Sequence, residues 1–202
     1  MNNLDSYQLF ENRYSEVLFH NAVTTGNYEA FSAMLDGRWR NRSHQRVSNC
    51  ELFEIAARHG YDKIVYKLST YFNLEDCAGK ALTAASSNGY IKVVEILLQI
   101  PNVETSIEFI RAFRAAAANG HDKIVKLLLN DSRANINDYG SSALSDALRH
   151  NMLNVVSVLL QDTRIIKRLD IETLSPKITK VLIQTYDFVN TKEDVKMFIT
   201  MS

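Results

Sequence analysis

The residues able to do chemistry are few and scattered. Two cysteines, Cys50 and Cys77, and five histidines, His20, His44, His59, His121 and His150, are spread through 202 residues. No glycine-rich phosphate loop and no HExxH helix is present. A cysteine nucleophile needs a base in reach, and neither cysteine stands in a context that supplies one. Two cysteines are too few for a disulfide framework and lack the further ligands a metal requires, so free thiols in a reducing compartment are expected. No catalytic residue, metal or cofactor is predicted.

The densest chemistry is basic. Residues 37–48, GRWRNRSHQRVS, carry Arg38, Arg40, Arg42, Arg46, His44 and the single tryptophan, Trp39, with no acid. Arginine offers a planar fork for carboxylate or phosphate, and tryptophan is a frequent interface anchor. Two readings stand: a binding finger, or a solvated loop with Trp39 folded back on the chain before it. Nucleic acid is disfavoured, since one aromatic is not an interleaved series. Lys plus Arg equals Asp plus Glu at 23 each. That balance argues against a coat for nucleic acid or an anionic membrane. No apolar run approaches the ~20 residues of a membrane span, and the first residues lack a signal pattern.

The elements that must position these residues repeat. With Gly120 set in register with Gly26, Gly60, Gly89 and Asn151, the steps are 34, 29, 31 and 31 residues. Four positions earlier stand Ala22, Ala56, Ala85, Ala116 and Ala147. Seven earlier stand Phe19, Phe53, Leu82, Phe113 and Leu144. Four and five later stand Ala30-Phe31, Ile64-Val65, Val93-Val94, Ile124-Val125 and Val155-Val156. Eight later stand Met34, Leu68, Leu97, Leu128 and Leu159. Each unit reads as two short helices around a tight turn. No unit can bury its apolar face alone, so the units must stack as a solenoid.

This pattern resembles the ankyrin repeat. The shared columns are the Ala-Ala pair before the turn, the Val-Val pair after it and the Leu-Leu pair closing the second helix. Asp138, Gly140, Ser142 and Leu144 echo the family's hairpin and helix start. The usual Thr-Pro-Leu-His opening survives only as its leucine position, plus His20 in the first repeat. The expected fold is all-α: an ankyrin-like α-solenoid of about five helix-turn-helix repeats, at 16–35, 51–69, 80–98, 111–129 and 142–160. A helix in 1–15, starting at Asp5 or Ser6, caps one end. Residues 163–202 read as a degenerate sixth repeat and closing cap, with helix starts at Ser175-Pro176 and Thr191. The links between repeats, including 130–142, are expected as turns with little strand. The recurring Asp131-Ser132-Arg133 and Asp162-Thr163-Arg164 read as local pairs that fix turns.

The resemblance implies binding to another protein, without enzymatic activity, through a concave face made by the first helices and the turns. Mapped by register, the candidate partner-binding residues are Arg58, His59, Ser87, Asn88, Asn119, Arg149 and His150 at the turns. Glu108 and Tyr139 stand at the tips between repeats, with Tyr139 as the anchor. Arg38, Trp39, Arg40 and Arg42 come from the basic stretch. Arg58 and Arg149 could join those arginines in a stripe facing an acidic or phosphorylated peptide, or belong to a solvated surface of scattered charge. Histidine at the turn is expected to bond backbone locally. Repeats without the family opening look like those of giant viruses, amoebae and intracellular bacteria. A cytoplasmic monomer, or an effector exported to a host cell without an N-terminal signal, fits that likeness. Rival readings are an adaptor subunit of a larger complex and a nucleic-acid binder using 38–46.

Overall fold

The computed structural model describes residues 17–36, 49–101, 103, 107–131 and 136–166, with isolated positions 176, 179, 180 and 183. The expected cap in 1–15, the basic stretch 38–46 and the helix starts at Ser175 and Thr191 lie outside the described residues. Among those described, every element is helical and none is a strand. Residues 17–24 form α1, followed by α2 (Tyr28–Asp36), α3 (Asn49–Arg58), α4 (Asp62–Tyr71), α5 (Glu75–Asn88) and α6 (Ile91–Leu97). Then come α7 (Ile107–Ala118), α8 (Asp122–Leu129), α9 (Ile136–Arg149), α10 (Leu153–Leu159) and α11 (Thr163–Ile166). The first helices of the repeats pack on one another as α3, α5, α7 and α9. The second helices α2, α4, α6, α8 and α10 form a parallel layer.

The aligned columns are explained by one turn geometry. In the second repeat the amide of Tyr61 donates to the Ala56 carbonyl at 3.0 Å, and that of Gly60 to Ala57 at 3.3 Å. These are the paired bonds of a Schellman helix ending, which requires a left-handed residue at the glycine position. Gly60 has φ +76°. The same outer bond recurs as Asn27 to Ala22, Tyr90 to Ala85, His121 to Ala116 and Met152 to Ala147. Asn151 adopts φ 60° in the fifth repeat, which asparagine tolerates. The alanine column therefore supplies the acceptor, and its small side chain lets the next layer approach.

Below the turns the core is continuous. Phe19, Phe53, Leu82, Phe113 and Leu144 are all buried, as are the Val-Val pairs and Leu68, Leu97, Leu128 and Leu159. Ile183 packs against the same core.

Two expectations fail. The first helices of repeats three, four and five begin at Glu75, Ile107 and Ile136, well before the expected 80, 111 and 142. The helical period extends backward: Cys77, Ala78, Ala81 and Leu82 are buried together, as are Phe109, Ala112 and Phe113, and Tyr139, Ala143 and Leu144. Much of 130–142 is thus helix rather than link. The cysteines are also not free. Cys50 and Cys77 are joined in a disulfide, with Cα atoms 5.5 Å apart, a separation typical of such bridges. Their value as a sign of a reducing compartment is lost.

Substitutions test the packing. Leu128→Ala should lower stability by about 2–5 kcal/mol, and Ala116→Leu by about 1–3 kcal/mol through overpacking. Urea unfolding measures both, and an unchanged midpoint for either would refute the packing. Ser86 is fully buried and its hydroxyl has no hydrogen-bond partner. Ser86→Ala should therefore be neutral or stabilising, since a methyl carries no desolvation cost; a clear loss of stability would show that the hydroxyl is satisfied.

Candidate protein-binding face

The exposed side of the first-helix layer is built from fixed register positions. Six and nine residues before each turn residue, the side chains point away from the second helices. They are Glu54 and Glu51 in the second repeat, Thr83 and Lys80 in the third, Arg114 and Arg111 in the fourth, and Ser145 and Ser142 in the fifth. Glu51, Lys80, Arg111, Arg114, Ser142 and Ser145 are exposed. Between them Ala84, Ser87, Ala115 and Ala118 are half-buried and small.

The arginines of this face are paired. Arg58 bonds Glu54 one turn back on α3. Arg111 donates to Glu108 at 2.6 Å. Arg114 Nε donates to Asp146 Oδ2 at 2.7 Å, crossing from α7 to α9. Arg149 lies 3.5 Å from the other oxygen of the same carboxylate. Asp146 is buried, so two guanidinium groups share one screened acid while their own side chains stay about half exposed or more. The pairing with Asp146 holds Arg114 more firmly protonated. The face runs from the acids Glu51 and Glu54 in the second repeat to Arg111, Arg114 and Arg149 in the fourth and fifth.

The turn residues are ordered by the stack. Asn88 and Asn119 each donate from Nδ2 to a carbonyl one turn back, Ala84 at 2.8 Å and Ala115 at 2.9 Å. Asn119 also reaches the Ser87 hydroxyl at 3.4 Å. His150 Nδ1 donates to the Asp146 carbonyl at 2.8 Å, a local backbone bond. His121 instead donates from Nε2 to Ser87 O at 3.1 Å, across repeats rather than locally. His59 is exposed and stacks on Tyr61, ring centroids 5.7 Å apart.

The structure brings Arg58, His59, Ser87, Asn88, Asn119, Arg149 and His150 to one run of turns, and Glu108 to the neighbouring first turn of α7. It does not bring Tyr139 to a tip. Tyr139 is 4 % exposed and packs edge-on against Phe113 at 5.3 Å and Phe109 at 6.3 Å. It is a core residue, because α9 starts early enough to carry it between two aromatic rings. Arg38, Trp39, Arg40 and Arg42 lie outside the described residues. Sequence reasoning missed Arg111, Arg114 and Asp146. Their signal was available: Arg111 and Arg114 sit nine and six before Gly120, on the helix face opposite Ala112 and Ala116.

The family comparison agrees with this geometry. Residues 109–170 match the family model for ankyrin repeats in three copies. This stretch consists of ankyrin repeats. The match covers the fourth and fifth repeats and continues past Asp162, near which the sequence register fades. Repeats one to three share the turn geometry and layer order of these ankyrin repeats, so the all-α ankyrin-like solenoid is the fold of the described residues. No curated protein matches the chain. Ankyrin repeats generally mediate protein–protein interaction and are typically non-enzymatic. Among the described residues no group of three or more His, Cys, Asp or Glu is placed to hold a metal, and no helix is long and apolar enough to cross a membrane.

The Asp-x-Arg turn after the fifth repeat is a local pair, as its sequence suggests. Asp162 accepts the Arg164 amide at 2.9 Å and the Arg164 guanidinium at 2.6 Å. Arg164 also donates to the Leu129 carbonyl, 35 residues back, at 3.1 Å. The guanidinium holds the Asp162 carboxyl below the ordinary carboxylate value of 3.8. A depressed folded-state pKa contributes stability that is present above the unfolded pKa and lost as pH falls through the folded one. Asp162→Asn should flatten the acid limb of stability below about pH 4 and leave the slope near neutrality unchanged. Thermal melts from pH 7 to pH 2 measure this; parallel profiles for the two proteins would refute the pair's role.

Proposed function

We propose that the chain is a non-enzymatic ankyrin-type scaffold that binds a partner protein through the exposed side of α3, α5, α7 and α9 and the adjoining turns. The observation that carries this reading is the continuity of that face. Small residues at Ala84, Ser87, Ala115 and Ala118 make a shallow floor, flanked by ordered Asn88 and Asn119 and by arginines whose bases are held in place by acids. A floor without large side chains admits a partner's backbone and side chains, and pre-positioned arginines lose little freedom on binding. The gradient from Glu51 and Glu54 to Arg111, Arg114 and Arg149 favours a partner segment that is acidic where it meets repeats four and five. The protein acts as a monomer on this reading. A host-directed effector and an adaptor within a larger complex use the same face and differ in the identity of the partner.

The test uses Arg58→Ala, Arg111→Ala and Arg149→Ala together, which leave the cross-repeat Arg114–Asp146 bond intact. Wild type and variant are first checked for equal melting temperature. Capture from cell lysate should then yield a protein retained by the wild type and lost by the variant. A partner held equally by both would move the site off this face. Capture of nucleic acid, released steeply as salt rises, would replace the reading with the basic 38–46 stretch.

A further inference from the structure

We propose that Cys50 and Cys77 form a redox-operated clamp between the second and third repeats, closed as a disulfide and opened by a small-molecule thiol such as glutathione. The bond ties the first turn of α3 to the first turn of α5, neighbouring helices in the first-helix layer. The second helices of the same interface pack on each other but part at their C-terminal ends. A cleft of about 360 Å³ lies between α4 and α6, with Tyr66, Phe72, Leu74, Ile96, Ile100 and Pro101 in its wall. Leu74 belongs to both features: it lines the cleft, and its carbonyl lies 3.5 Å from Cys77 Sγ. The covalent link therefore spans the repeat interface that carries this cleft, and it ends two residues beyond the segment forming the cleft wall.

The two cysteines differ in exposure. Cys77 is 6 % exposed, whereas Cys50 is only half-buried. An incoming thiolate reaches Cys50 Sγ. The S–S bond breaks, a mixed disulfide forms at Cys50, and Cys77 leaves as a thiolate that takes up a proton. The new thiol has an acceptor waiting, since the Leu74 carbonyl is already in reach. A second external thiolate then attacks the mixed disulfide, leaving as an oxidised dimer with the first and releasing Cys50, which is protonated in turn. Two electrons pass to the protein and two external thiols are oxidised. Closing the clamp reverses these steps with an oxidised small-molecule disulfide as the acceptor.

In a solenoid each repeat touches only its neighbours, so opening should be felt locally. The cross-link joins residues 27 apart in sequence, enough to restrict the opened interface substantially. The experiment is hydrogen exchange on the full chain, air-oxidised and after millimolar glutathione, beside a Cys50→Ala/Cys77→Ala variant. A peptide map without reductant should first show one Cys50–Cys77 cross-linked peptide. Reduction should then raise exchange in 50–56 and 72–78 by about 10- to 100-fold, lower the urea midpoint by about 1–2 M and leave α8 and α10 unchanged. The variant should behave as the reduced wild type with or without glutathione. Two thiols free to alkylation in the unreduced protein would overturn the proposal. So would exchange that is unmoved by reduction, or raised equally in every repeat.

Discussion

The structure depends on a helix ending that must be both left-handed and bare. In each of the first four repeats the turn glycine is covered by a side chain from the next repeat. A methyl on Gly26 would meet the Tyr61 ring at 2.5 Å, and one on Gly60 would meet Tyr90 at 2.5 Å; Gly89 lies under His121 and Gly120 under Met152. The turn thus does two jobs with one residue. It closes its own helix through the alanine carbonyl four positions earlier, and it leaves a flat backbone on which the following repeat rests. The stacking side chain varies among tyrosine, histidine and methionine because only enough bulk to cover the bare backbone is asked of it.

Stacking by turns fixes the spacing of the repeats, and each interface then has its own lateral bond. Between repeats one and two, Asp36 accepts Lys67 at 2.7 Å and Tyr71 at 2.6 Å, while Lys67 also reaches the Ser32 hydroxyl. The Lys67 and Tyr71 bonds hold the Asp36 carboxyl below its ordinary value and Lys67 above its own. Between two and three stands the disulfide. Between three and four, Thr83 donates to the Glu108 carbonyl at 2.9 Å. Between four and five, Arg114 meets Asp146, and from beyond the fifth repeat Arg164 returns to Leu129 of the fourth. These bonds differ in chemistry because nearest-neighbour stacking does not require one repeat to copy another's polar contacts.

That division decides what could be read from the chain. The glycine, alanine and aliphatic columns are forced by backbone geometry and close packing, so they recur and reveal the fold. Helix starts are less legible. Asn137, Asp138 and Gly140 are turn formers by type, yet Tyr139 between Phe109 and Phe113 draws that segment into α9; tertiary burial overrides local preference. The disulfide was illegible for a related reason. Cys50 and Cys77 are ten and twelve positions before their glycines, out of register by two, and only the early start of α5 brings them face to face.

The proposed binding face was half legible, and the missing half is electrostatic. Turn residues can be mapped by register alone, but whether an arginine is available to a partner depends on the acid beside it. Arg58 is matched within its own helix by Glu54, which the i, i+4 spacing shows directly. Arg114 is matched by Asp146, thirty-two residues away and visible only once α7 and α9 lie side by side. Because Asp146 is buried and shared by two arginines, the fourth and fifth repeats present more positive charge than their acid screens. A carboxylate or phosphate approaching Arg149 would compete for a guanidinium held at 3.5 Å, while Arg114 keeps the tight 2.7 Å bond. The looser arginine is then the one that can turn to a partner, and the tighter one keeps the face in register while it does.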